Sequence, residues 1–131
     1  MALLDEAHVF HTQALAFIQR LKIATCALVE NGVVRVLNLP AYSRLPPIGF
    51  APVAAKRAEI CSGPEHEFWP CDVSLCEAGR VKWPSVMGHN QITDVHLLAL
   101  AVAHAGCLVK LDHGVAITTV GGALPRHLDH L

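Results

Sequence analysis

An α/β layer fold with a mainly parallel sheet is what this sequence predicts, on three observations. Two apolar runs, Ile23–Val29 and Cys107–Leu111, have the length of buried strands. Each lies next to a stretch of helical spacing, so strand-like and helix-like segments alternate. The stretch Asp94–His104 is bracketed by Thr93, a good N-cap, and by Gly106, the expected C-terminal signal, directly before the second run. Sheets of this class usually take their ligands beyond the carboxyl ends of the strands.

In chain order, Phe10, Ala14, Phe17, Ile18 and Leu21 keep helical spacing and predict an amphipathic helix over Glu6–Leu21 with Asp5 as its N-cap. Met1–Leu4 is too short for an element. Ile23–Val29, bounded by Lys22 and by Asn31-Gly32, reads as a buried strand, with a second helix over Glu30–Asn38. Four of the eight prolines fall between Pro40 and Pro52, together with Gly49, which predicts a loop. Ala51–Ser62 reads as a short helix with Pro52 in its first turn. Pro70 restricts any strand in His66–Val73 to a brief one or a sheet edge. Gly79–Gly88 reads as a loop. Beyond the Asp94 helix and the Cys107 strand, the Gly121-Gly122 turn and Pro125 precede a last strand at His127–Leu131.

A chain of 131 residues fits one domain, and 53% hydrophobic against 16% charged residues excludes disorder. Ten Lys and Arg against eleven Asp and Glu leave a net charge of −1, so no bulk positive field attracts nucleic acid or anionic lipid, and any RNA contact is local. Val95–Val109 is interrupted by His96 and His104 and falls short of the roughly 18 apolar residues of a membrane span. Asp5 and Glu6 stand where a signal peptide would be basic. A cytoplasmic protein with no membrane association is therefore expected. Five cysteines, none in a CxxC pair, read as reduced and mostly packed thiols.

Three acids draw attention. Glu30 directly follows the first predicted strand, Asp112 follows the second, and Asp94 opens the helix before it. Carboxylates on one rim suit Mg²⁺ or Mn²⁺, which prefer oxygen ligands, keep several waters, and can activate water in phosphodiester hydrolysis. On the residues alone other roles stay open: Asp94 as a helix N-terminal acid, Asp112 as a turn residue with His113-Gly114, Glu30 as a first-turn acid. His8 and His11 could share a helical face, but nothing completes a zinc spacing around them. Cys71 and Cys76 lack a second pair. His96 reads as a partly buried helix residue. Arg20/Lys22, Lys56/Arg57 and Arg80/Lys82, with Trp69 and Trp83, are local RNA-contact candidates, and ordinary surface and core roles explain them as well.

The stretches TCALVENGVVRVLNLP (Thr25–Pro40), EFWPCDVSL (Glu67–Leu75) and GHNQITDVHLLALAVAHAGCLVKLDHGVA (Gly88–Ala116) resemble the VapC-type PIN-domain ribonuclease toxins of bacterial type II toxin–antitoxin pairs. The third block is the most specific, because an acid-starting helix, a Gly turn, a strand and an Asp-x-Gly match together. The resemblance implies a single three-layer α/β/α PIN-like domain over 1–131. It further implies a Mg²⁺- or Mn²⁺-dependent endoribonuclease with water as nucleophile, RNA as substrate, a cognate VapB-type antitoxin and a homodimer. Carried over by position, the family's second, third and fourth acids fall on Glu30, Asp94 and Asp112. Thr93 matches the hydroxyl residue that helps hold the metal site. His113 stands where family members often have Arg, and is either a phosphate contact or, as the better reading, a solvent-exposed residue. The family's first strand, a pattern like LLDxNVLIALL, is matched only in its last residues by Met1-Ala2-Leu3-Leu4. The first catalytic Asp then has no counterpart and Asp5 is a cap, which leaves two expectations open: a natural start upstream of Met1, or a chain of impaired activity. The rival expectation is a catalytically inactive PIN-domain remnant that binds an antitoxin through apolar helix surface near Phe10, Phe17 and Val34.

Overall fold

Alternation of short strands with helices is carried into the computed structural model, which describes Val9 and residues 11–18, 21–40 and 49–131. Met1–Leu4, Asp5, His8, Phe10, Arg20 and the side chain of Phe17 lie outside the described residues. The elements are α1 (His11–Ile18), β1 (Ile23–Thr25), α2 (Ala27–Leu37), α3 (Phe50–Cys61), β2 (His66–Phe68), α4 (Ile92–Ala103), β3 (Leu108–Lys110) and β4 (Leu128–His130). They divide into two compact units, Met1–Cys71 and Asp72–Leu131. The class is α/β with parallel strand pairing: among the described residues, β1 pairs with β2 in the first unit and β3 with β4 in the second, both parallel.

In the first unit, β1 is shorter than the run Ile23–Val29 that predicts it. Cys26 is extended (φ −139°, ψ 169°) and takes the N-cap position of α2, and the Glu30 N–H closes a helical turn onto the Cys26 carbonyl at 3.0 Å. Ala27 and Leu28 are strong helix formers, so apolarity there serves a helix face instead of a strand. Glu30 therefore lies in the first turn of α2 and does not directly follow the strand, a correction to the expectation above. Val29, Val33 and Leu37, four residues apart, form one face that packs with Val53 of α3 and with Val34. Asn38 ties the two helices: its Nδ2 donates to the Val34 carbonyl (2.8 Å) and its Oδ1 accepts the Gly49 N–H (2.9 Å). Gly49 caps α3 at φ 97°, where a side chain would be strained, and Pro52 sits in the first turn. β2 runs only to Phe68. The Trp69 N–H adds one more bond to the Thr25 carbonyl (2.8 Å), and Pro70 has no N–H to offer.

In the second unit, α4 buries Val95, Leu98, Ala99, Leu100 and Ala101, residues that span most of its circumference. Two expectations about its ends are corrected. Thr93 is not the N-cap, because a 3₁₀ turn at His89–Gln91 runs straight into α4 and puts Gln91 at the cap position. Gly106 is not the left-handed residue at the other end. The Ala105 N–H bonds to the Val102 carbonyl (3.3 Å) and the Gly106 N–H to the Ala101 carbonyl (2.8 Å), a Schellman pattern in which Ala105 carries φ 54°. β3 and β4 pair in the register Leu108↔Leu128, Val109↔Asp129, Lys110↔His130. An antiparallel bridge, Val81↔Val120, closes the loop segments, with the Gly121 N–H on the Arg80 carbonyl at 2.9 Å. Among the described residues, no helix is long and apolar enough to cross a membrane.

Candidate active site

Glu30 belongs to the first unit and is held from two elements. Its Oε1 lies 2.5 Å from Arg57 Nη1 of α3 and accepts a hydrogen bond from Thr25 Oγ1 of β1 at 3.3 Å. His66 Nε2 of β2 is 2.8 Å from the same hydroxyl. Thr25 has one proton; if it goes to Glu30, His66 must carry its hydrogen on Nε2 and donate it to Thr25. Glu30 and Arg57 are about one quarter exposed, 25% and 27%. They line an open depression of ≈ 540 Å³ with Ala27, Asn31, Val34, Arg35 and Phe50.

Asp94 and Asp112 come together in the second unit. Asp94 occupies the first turn of α4, where the helix dipole favours an acid. Asp112 follows β3 in the turn to Gly114, whose N–H donates to Asp112 Oδ1 at 2.8 Å. Both carboxylates converge on Lys110 Nζ, which contacts Asp94 Oδ2 and lies 3.1 Å from Asp112 Oδ1. The Gly114 hydrogen bond, then that from Lys110, hold the Asp112 carboxyl below its ordinary value of 3.8, against a smaller opposing effect of burial. A Cβ at Gly114 would stand 2.8 Å from Asp112 Oδ1 and 3.5 Å from Asp94 Oδ2, so a side chain there would displace the Asp112 carboxylate.

Gln91 fastens this turn to the start of α4. Its Nε2 donates to the Gly114 carbonyl (2.7 Å) and its Oε1 accepts the Met87 N–H (2.7 Å). Thr93, one residue before Asp94, is exposed at the second position of α4. His113 is exposed and stacks on His130 with ring centroids 4.2 Å apart.

Sequence reasoning missed Arg57 as the partner of Glu30, Thr25 and His66 behind it, Lys110 between the two aspartates, and Gln91. Lys110 alternates with Asp112 in LVKLDHG, and that was the one local signal: residues two apart on an extended segment share a face. The remaining sequence candidates resolve differently. Lys56 pairs with Glu59 and Arg80 with Glu77, so both are tied to nearby acids. The thiols are free, but only Cys26 is buried and Cys71, Cys76 and Cys107 are exposed, which corrects the expectation of mostly packed cysteines.

Two carboxylates focused on one positive atom form a hard-oxygen donor set, so Asp94 and Asp112 fit a Mg²⁺ or Mn²⁺ ion, at a position where Lys110 supplies the charge. Within each unit, among the described residues, no three His, Cys, Asp or Glu side chains gather as a metal-binding group.

No family model matches the chain. It is similar to ribonuclease VapC44 of Mycobacterium tuberculosis, 40% identical over 131 residues that take in 98% of this chain and 91% of that protein. Ribonuclease VapC39 of the same organism is 32% identical over 121 residues, 88% of this chain and 84% of its own length. Ribonuclease VapC29, also from M. tuberculosis, is 34% identical over 122 residues, 88% and 82% of the respective chains.

Proposed function

The chain belongs to the VapC ribonucleases, and from that premise we propose that it is a metal-dependent endoribonuclease, the toxin of a VapBC-type toxin–antitoxin pair. The observation that carries this reading is the convergence of Asp94 and Asp112 on a single cationic point, within a chain 40% identical to a ribonuclease along 98% of its length.

Glu30, Asp94 and Asp112 are the residues proposed to hold Mg²⁺ or Mn²⁺, in one PIN-like domain made of both units; the joining of Glu30 to the other two rests on the resemblance. Bound there, the ion supplies an activated water and neutralises charge on the scissile phosphodiester. Asp94 is aimed by the first turn of α4. Asp112 is oriented by the Gly114 N–H and keeps its charge because that hydrogen bond favours the ionised form. Gln91 holds the Gly114 turn against the start of α4. Thr93 supports the site from beside Asp94, and His113, exposed at the same turn, meets the RNA phosphate. The proposed partners are an RNA substrate, a cognate VapB-type antitoxin and a second copy of the chain as homodimer, in the cytoplasm.

A second reading, a catalytically inactive protein that still binds an antitoxin, is favoured by one observation: Glu30, Asp94 and Asp112 are already ion-paired with Arg57 and Lys110. Cleavage of a mixed RNA pool with Mg²⁺ or Mn²⁺, with chelator, and by Asp94→Asn separates the two. Metal-dependent cutting lost in Asp94→Asn is expected; no cutting by the folded, unaltered chain would overturn the enzyme reading.

A further inference from the structure

Lys110 takes no part in the chemistry described so far, yet it is the most enclosed charge of the acidic cluster. Its side chain is 9% exposed, against 26% for Asp94 and 73% for Asp112. An ammonium this far from water requires counter-charges, and among the described residues the two aspartates supply them. The backbone fixes it in place: Lys110 lies on β3, in register with His130 of β4, and its carbonyl accepts the Leu131 N–H at 2.9 Å. The Gly114 turn lies against it as well, since a Cβ there would stand 3.5 Å from Lys110 Nζ.

We propose that Lys110 is the resident cation of the Asp94–Asp112 pair, holding the two carboxylates together when no metal is bound and competing with a divalent ion for the same oxygens. Asp94 Oδ2 and Asp112 Oδ1 point at one volume, and that volume holds either an ammonium or a metal ion. Two cations sharing it would repel at close range in a partly desolvated setting, where charge interactions are strong. Metal entry therefore moves Nζ off at least one carboxylate, and the lysine sets how much metal is needed. This inference rests on the metal-dependent reading above.

The test is Mn²⁺ binding, read by electron paramagnetic resonance of the free ion, to the full chain, to Lys110→Met and to Asp94→Asn. Methionine keeps much of the stem volume and removes the charge. Lys110→Met is expected to bind Mn²⁺ roughly tenfold or more tightly than the unaltered protein, and Asp94→Asn more weakly. Equal or weaker binding by Lys110→Met overturns the role of Lys110 while leaving the metal reading standing. No binding by any of the three overturns both. Should Lys110→Met fail to fold, amine acetylation of the unaltered chain followed by mass spectrometry decides the matter, with Lys22, Lys56 and Lys82 as references. Mn²⁺ is expected to speed labelling of Lys110 selectively, and a rate unchanged by saturating Mn²⁺ overturns the proposal.

Discussion

Glu30 has two roles that a paired substitution separates: it neutralises Arg57 in the fold, and it is a proposed metal ligand. The ion pair is 2.5 Å long, its members are 25% and 27% exposed, and Thr25 adds a hydrogen bond at 3.3 Å. Breaking one partner of a fully buried pair costs about 3–5 kcal/mol, whereas exposed pairs contribute about 0.2–1 kcal/mol. At one-quarter exposure the loss expected for either Glu30→Gln or Arg57→Gln is about 1–2 kcal/mol. Urea denaturation measures that loss, and the two variants are expected to agree because they break the same contact. Their RNA cleavage per folded molecule is expected to diverge. Glu30→Gln removes a charged oxygen ligand and is expected to cost roughly a hundredfold, while Arg57→Gln leaves the carboxylate and keeps cleavage. If Glu30→Gln retained cleavage within about twofold of the unaltered chain at matched folded fraction, Glu30 would be only the structural partner of Arg57, and the ligand assignment would fall.

Ala105→Gly is expected to stabilise the protein by about 0.5–1 kcal/mol in a urea titration, since a left-handed alanine costs about 1–2 kcal/mol and the glycine returns part of that as unfolded-state entropy. Gly121→Ala is expected to destabilise by about 3 kcal/mol or more, read as a fall in the urea midpoint, because a Cβ there would stand 2.1 Å from the Gly79 carbonyl oxygen. Asp112 has a folded-state carboxyl held below 3.8, so its contribution to stability is fully present above that value and is lost as the pH falls through the lower folded value. Denaturation midpoints between pH 6 and pH 3 are therefore expected to fall less steeply in Asp112→Asn than in the unaltered chain, by well under about 1 kcal/mol because the side chain is 73% exposed.

Much of the fold was legible because apolar periodicity and breakers act locally. α3 begins within one residue of its prediction because Gly49 and Pro52 fix its first turn. β4 is where Pro125 and the Gly121-Gly122 turn leave room for it. The first miss has a plain cause: an apolar run does not say which backbone it will adopt. Ile23–Val29 divides into a strand and a helix because Cys26 turns the chain, and neither residue type nor spacing marks that point. Thr93 looks like a cap because Thr usually is one, but the 3₁₀ turn held by Gln91 starts the helix earlier. In the site, the sequence offered the acids and withheld their partners. Arg57 is 27 positions from Glu30 and Lys110 is 16 from Asp94, so these pairings exist only through the fold.

The pairing of acids with basic side chains of the same chain bears on how folding and metal are linked. Carboxylates gathered around one point repel, and a protein that relied on a metal to relieve that repulsion would lose stability when the metal was removed. Here Lys110 relieves it for Asp94 and Asp112, and Arg57 balances Glu30, each from a separate element already packed in its unit. Folding is thereby made less dependent on loading. A chelator is expected to abolish RNA cleavage while lowering the urea midpoint of the unaltered chain only slightly, and by less than in Lys110→Met. In Lys110→Met the carboxylates lose their internal counter-charge, so the midpoint should rise when Mn²⁺ is added and fall back with chelator, as linkage to native-state binding requires. A chelator that unfolded the unaltered chain would mean that the metal, and not Lys110, holds the acidic pair together.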